Sequence, residues 1–65
     1  MGNDVNVSLI EKYMKDNSLT LTAFCAKCGI SLKTLKNVME NKNFALTSLF
    51  KIAKTMKVNL SQLFI

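Results

Sequence analysis

The stretch 19–38 constrains the fold of this chain more than any other part of the sequence. It holds two short apolar-periodic segments separated by Gly29. Thr20 and Ser31 precede these segments, and a hydroxyl at such a position can accept a hydrogen bond from an early backbone N–H of a helix. A glycine at a helix end favours the left-handed backbone that stops the helix. The pattern therefore predicts two short helices that cross at a steep angle, with the second, over about 31–40, protruding from the body.

The rest of the chain repeats its apolar residues with a period near 3.6, which is typical of amphipathic helices. We expect a first helix over about 7–16, a fourth over about 45–56 and a last helical turn after Asn59. Residues 1–6 are polar and are expected to form a flexible lead. The chain has 65 residues, no proline and 49% hydrophobic residues, which suffices for one small core. The sequence thus predicts a single all-α domain over 1–65, a compact arrangement of five helices.

The apolar positions of each predicted helix define the expected core. In the first three helices these positions share one face at spacings of three and four residues. In the fourth helix they form a wider stripe. The residues expected to face inward are Ile10, Tyr13, Met14, Phe24, Cys25, Cys28, Ile30, Leu35, Val38, Met39, Leu46, Leu49, Phe50, Ile52, Ala53, Met56, Leu60 and Leu63.

The charge balance favours a polyanionic partner. Nine lysines against four acids give a net charge of +5, with no arginine and no histidine. A lysine attracts phosphate as a point charge, without the bidentate geometry of arginine. The sequence has no apolar run of about 18 residues that could span a membrane, and its first residues lack a signal-peptide pattern. We therefore expect a cytoplasmic protein.

Cys25 and Cys28 have the CxxC spacing of a redox pair or of half a zinc site. A tetrahedral zinc site needs two further soft ligands, and the chain has neither a histidine nor a third cysteine. A redox CxxC typically follows a strand, whereas this pair lies within a predicted helix. We therefore expect two buried thiols, no metal and no cofactor. The chain also lacks a glycine-rich phosphate loop and a paired acid and base, so we do not expect an enzyme.

Several segments, in their order along the chain, make this sequence similar to the phage-repressor and Cro type of helix-turn-helix domain. The similarity runs from the first helix to Leu63. The family places a small residue where Cys25 stands, a glycine at the turn and an apolar residue after it. The segments that carry the resemblance are Leu19-Thr20, Phe24-Cys25, Gly29-Ile30-Ser31, Leu35, Val38, 46–54 and 58–63.

The sequence also departs from the family pattern at several positions. Leu21 stands where the family usually has a glutamine that contacts the DNA backbone and braces the recognition helix. The acid that the family often has near Met39 and the glycine near Asn41 are both absent. The loop before the fourth helix reads Phe44-Ala45 in place of a proline and a serine cap. These departures leave the expected fold intact and affect only the details of phosphate contact.

The resemblance implies a DNA-binding transcription regulator, a repressor or Cro-like protein of a phage or mobile element, whose 31–40 helix enters the major groove. Asparagine can pair with adenine, lysine can donate to guanine, and a leucine or threonine methyl can contact the thymine methyl. The alternative is that this helix face is only solvated. The base-contact candidates that the resemblance implies are Leu32, Lys33, Thr34 and Asn37.

Polar residues near the ends of the second and third helices are candidates for phosphate contacts, because a helix N-terminus attracts anions. For each of them ordinary surface polarity is the competing interpretation. These phosphate-contact candidates are Thr20, Thr22, Lys36, Lys42 and Asn43.

The apolar C-terminus allows two interpretations. Phe64 and Ile65 either cover the core or pair with a second copy of the chain, since exposed apolar patches often mark interfaces. A two-fold homodimer would place two recognition helices roughly 34 Å apart on a palindromic operator. A different class of function also remains open, because a fold does not fix a function. The glutamine lost at Leu21 and an exposed Leu32 would suit a protein-interaction module on the same scaffold, such as an antirepressor that binds a repressor.

Overall fold

The computed structural model describes residues 4–64 as four α-helices followed by one short 3-10 helix. The predicted all-α class is confirmed, but the α-helices number four rather than five. The last predicted helix is a 3-10 turn, in which the Gln62 N–H donates to the Asn59 carbonyl at 2.9 Å, and the backbone is extended at Phe64. The elements are α1 (Val7–Asp16), α2 (Leu21–Cys28), α3 (Leu32–Met39), α4 (Leu46–Met56) and the 3-10 helix (Leu60–Leu63).

Local residues fix both ends of α2 and the start of α3. Thr20 Oγ1 accepts a hydrogen bond from the Ala23 N–H at 3.1 Å, and Ser31 Oγ accepts one from the Thr34 N–H at 3.1 Å. Gly29 ends α2 with a φ of 75°, in the left-handed region. The predicted caps and the predicted glycine turn are therefore confirmed, and they set the crossing of α2 and α3.

A single core lies between the helices. α2 packs against both α3 and α4, and the 3-10 helix packs against α1 and α4. Tyr13 adds a tilted ring contact to the buried Phe24, with centroids 5.8 Å apart, and its hydroxyl donates to the Thr55 carbonyl at 3.3 Å. Ile30, expected to plug the core, is half-buried against it. The buried residues are Val5, Ile10, Met14, Phe24, Cys25, Cys28, Leu35, Val38, Leu49, Ile52, Ala53, Met56 and Leu63.

Two members of the predicted apolar stripe of α4 are not in the core. Leu46 is 54% exposed and Phe50 is 55% exposed. At about 100° per residue these two side chains lie together on one flank of the band formed by the buried residues of α4. The prediction that they face inward was wrong, because helical periodicity gives the direction of a buried face but not its width.

The predicted flexible lead over 1–6 also differs from the structure. Val5 is 1% exposed, and its N–H donates to Asn41 Oδ1 at 2.6 Å. It forms an isolated antiparallel bridge with Phe64, and the Asn6 N–H donates to the Leu63 carbonyl at 2.7 Å. Residues 5 and 6 are therefore anchored to the core by contacts far apart in sequence, while residues 1–3 of the predicted lead lie outside the described part of the chain. Within residues 4–64, no helix is long and apolar enough to cross a membrane.

Candidate nucleic-acid interface

α3 has one anchored face and one solvent face. Leu35 and Val38 are fully buried. Lys33 and Lys36 are exposed and Asn37 is half-buried. At about 100° per residue these three polar side chains lie roughly opposite the two buried ones. The helix therefore presents two ammonium groups and an amide outward from a fixed position.

The remaining two base-contact candidates lie at the edges of this outward face. Leu32, at the first position of α3, is 40% exposed. Thr34 is half-buried, and its Oγ1 accepts a hydrogen bond from Ser31 Oγ at 2.8 Å. Leu32 is therefore accessible to a ligand, whereas the Thr34 hydroxyl oxygen already accepts a hydrogen bond from the N-cap residue Ser31.

The phosphate-contact candidates on α2 lie at its N-terminus. Thr20 and Thr22 are both exposed, and the Thr20 oxygen serves as the N-cap. No acidic residue occurs in the first turn of α2 or of α3. The partial positive charge at both helix N-termini is therefore not neutralised locally, which suits an approaching anion.

The other phosphate-contact candidates follow the outward face of α3 toward the next loop. Lys36 and Asn43 are exposed. Lys42 forms an ion pair with Glu40 at 3.1 Å, with side chains that are 69% and 56% exposed. Such surface pairs contribute little to stability, so Lys42 can exchange the carboxylate for a phosphate at small cost.

The CxxC pair is part of the core. Cys25 and Cys28 are 6% and 7% exposed, and both are free thiols. Burial raises the pKa of both thiols above the usual range, so both stay protonated and weakly nucleophilic at neutral pH. The prediction of buried thiols is confirmed. Residues 4–64 contain no group of three or more side chains that could hold a metal ion.

Asn41, named above only because the family's usual glycine near it is absent, has a structural role. It adopts a left-handed backbone with a φ of 57° directly after α3, and its side chain accepts the Val5 N–H. The signal was available in the departure from the family pattern, because asparagine is the residue that most readily replaces glycine in this backbone region. Asn41 thus ties the N-terminus to the end of the candidate recognition helix.

The structure describes only one of the two dimerisation candidates. Phe64 is half-buried, packs against the core and bridges Val5. This arrangement favours the interpretation in which Phe64 covers the core. Ile65 lies outside the described residues.

Comparison with known proteins agrees with this geometry. A family model described as the Cro/C1-type HTH DNA-binding domain matches residues 10–65. No curated protein and no solved structure matches the chain. The matched region includes α2, the Gly29 turn and α3, which are the helix-turn-helix itself. The chain therefore belongs to the Cro/C1-type helix-turn-helix DNA-binding domain family.

Proposed function

We propose that this chain is a sequence-specific transcription regulator of the repressor or Cro type, acting as a single domain in the cytoplasm. The observation that carries the proposal is the outward face of α3, where Lys33, Lys36 and Asn37 project from a helix anchored by buried residues. A helix held in this way can enter a major groove without reorganising. Family membership supports DNA as the ligand.

In this proposal the outward face of α3 reads base edges. Asn37 is suited to adenine, Lys33 to guanine, and Leu32 to the thymine methyl. Thr34 contributes its methyl group, and its hydroxyl, which accepts the hydrogen bond from Ser31, keeps its own proton as a donor.

Phosphate contacts fix the position of α3 in the groove. Lys36, Lys42 and Asn43 would contact one stretch of backbone, while Thr20 and Thr22 bring the N-terminus of α2 to another. These contacts supply affinity that does not depend on sequence. Affinity for any duplex should therefore fall as salt rises.

The proposed DNA target is a palindromic operator bound by two copies of the chain. A single α3 reads only a few base pairs, and a two-fold pair doubles the site with half-sites one helical turn apart. Phe64 and Ile65 are the dimerisation candidates from the sequence, although the packing of Phe64 against the core argues against a large contribution from that side chain. A phage or mobile-element source fits the resemblance to phage repressors.

A selection experiment tests the proposal. The protein is mixed with a pool of random duplexes at two salt concentrations, and the retained duplexes are sequenced. We expect enrichment of an inverted repeat and weaker retention at the higher salt. Absence of retention at the lower salt would contradict DNA binding, and retention without enrichment would contradict sequence specificity.

A further inference from the structure

The outer surface of α4 combines apolar and basic side chains that the DNA-binding proposal does not use. Leu46 and Phe50 are the two most exposed large hydrophobic residues of the described chain, at 54% and 55%. They lie four residues apart and therefore adjoin on one helix face. Lys54 follows Phe50 at the same spacing and is exposed. The apolar pair is therefore adjacent to a basic region of the surface.

That basic region is a shallow concave site between the end of α2 and α4. Its volume is about 390 Å³, and three lysines, Lys27, Lys51 and Lys54, line it. Thr55 joins the two walls, because its hydroxyl donates to the Lys51 carbonyl at 3.0 Å and lies 3.4 Å from the Lys27 carbonyl. Thr55 therefore connects the end of α2 to α4 at this site.

No acid neutralises these lysines in the described structure. The ion pairs among residues 4–64 are Lys12 with Asp16 and Lys42 with Glu40. Lys27 and Lys54 lie in the last turns of α2 and α4, where a cation also interacts favourably with the negative end of the helix dipole. That role uses a single charge at each helix end and does not account for a third lysine or for the exposed apolar pair beside them.

We propose that Leu46, Phe50 and the site lined by Lys27, Lys51 and Lys54 form one docking surface for an acidic amphipathic segment of another protein. The apolar side chains of such a segment would cover Leu46 and Phe50, and its carboxylates would enter the basic site. Aromatic and aliphatic anchors supply most of the affinity of such contacts, and complementary charge supplies orientation and specificity. The inference adds a protein partner to the proposed function and does not depend on DNA binding.

Charge distinguishes this partner from the other candidates. A second copy of the chain carries a net charge of +5, and only two of its four acids, Asp4 and Glu11, lie outside the ion pairs. Two copies paired through this surface would therefore bring like charges together. A DNA backbone would match the lysines but would leave Leu46 and Phe50 against a polyanion, where they gain nothing. An acidic amphipathic segment matches both halves of the surface.

The test uses the full chain and a fluorescent synthetic peptide of about 16 residues, long enough to form a helix, with leucines on one face and glutamates on the flanks. Binding is followed by fluorescence anisotropy. We expect Phe50→Ser and the double variant Lys51→Glu/Lys54→Glu each to weaken binding by about tenfold or more. A peptide with glutamine in place of glutamate should lose a similar factor. The control Lys12→Glu/Lys15→Glu makes the same charge change on α1 and should keep most of the affinity.

Several results would overturn the proposal. The first is failure of the wild-type chain to bind the acidic peptide, and the second is equal binding by the α4 variants. The third is an equal loss of affinity in the α1 control, which would indicate that binding depends only on the net charge of the protein. A Phe50→Ser change that converts a dimer to a monomer in sedimentation would assign the surface to a second copy. A loss of DNA affinity confined to the α4 variants would assign it to DNA. All altered residues are exposed, and circular dichroism checks that each variant keeps its helices.

Discussion

Asn41 shows how a single polar residue organises the region behind α3, the candidate recognition helix. Its left-handed backbone, with a φ of 57°, turns the chain away from α3, and its side chain receives the N–H of Val5 from 36 residues earlier in the chain. Val5 is almost fully buried, so this N–H has no ready access to water. A buried N–H without an acceptor costs about 1–3 kcal/mol.

We therefore predict that Asn41→Ala lowers the free energy of unfolding by about 2 kcal/mol, through the lost hydrogen bond and the strain of alanine at positive φ. Asn41→Gly removes only the hydrogen bond and should cost less. Urea denaturation measures both. Asn43→Ala, an exposed asparagine in the same loop, is the control and should stay within about 0.5 kcal/mol of the wild type. Equal stability of Asn41→Ala and the control would show that the contact with Val5 does not stabilise the fold.

A second prediction at the residue scale concerns Asn37 and the specificity of DNA binding. Its amide lies on the outward face of α3, where pairing with one base would be lost on truncation. We expect Asn37→Ala to lower affinity for the preferred site by about 1–3 kcal/mol and to leave affinity for unrelated duplexes nearly unchanged. Lys36→Ala should instead weaken binding to all duplexes alike. Titration of a panel of single-base variants of the selected site separates the two, and a uniform loss for Asn37→Ala would remove it from the base-reading set.

At the scale of elements, the turn between α2 and α3 determines how the candidate recognition helix is oriented. Gly29 and Ile30 both donate their N–H groups to the Cys25 carbonyl, at 2.8 and 3.1 Å, and Gly29 has a φ of 75°. A Cβ at Gly29 would meet no atom within 4 Å. Any cost of substitution there comes from the backbone conformation and not from crowding.

We predict that Gly29→Ala lowers the free energy of unfolding by about 1–2 kcal/mol, the usual cost of a left-handed backbone for an L-residue. Gly29→Asn should cost less, because asparagine tolerates this region. Thermal unfolding followed by circular dichroism measures both variants. Equal losses for alanine and asparagine would indicate a steric cause and would contradict the open space at this position.

The helices also show which features of the fold local sequence predicts and which it does not. The bounds of α1 match the prediction, and α2 and α3 follow it closely, because Thr20, Gly29 and Ser31 act on neighbouring backbone groups. The burial of Val5 depends on contacts with Asn41 and the C-terminus, which no local pattern encodes. On the candidate interface, helical spacing predicted the exposed lysines of α3, whereas the engagement of the Thr34 hydroxyl required the actual side-chain geometry.

At the scale of the whole molecule, the buried thiols link stability to pH. Burial raises the pKa of Cys25 and Cys28 above the ordinary value of 9.0. As pH rises past that value, the thiols of the unfolded chain ionise first, so the folded state holds more protons and stability falls. We predict that the free energy of unfolding falls more steeply between about pH 8 and pH 10 in the wild type than in Cys25→Ala/Cys28→Ala. Parallel slopes in urea titrations would contradict this linkage.

At the scale of the whole molecule, two lysines allow local contacts with DNA to be separated from the total charge of +5. Lys42 and Lys12 are both exposed, at 69% and 73%, and each pairs with one acid, at 3.1 and 3.3 Å. Replacing either by alanine changes the net charge equally. Lys42 follows α3, however, whereas Lys12 lies on α1 with no proposed role at the DNA.

We predict that Lys42→Ala reduces the slope of log affinity against log salt by about 0.9 and that Lys12→Ala leaves it nearly unchanged, because the slope counts phosphates neutralised in the complex. The loss for Lys42→Ala should be the same on the selected operator and on an unrelated duplex. Titrations at several salt concentrations measure the slopes. Equal changes for the two variants would mean that DNA responds only to the total charge of the protein, and the assignment of phosphate contacts to the region around α3 would then fail.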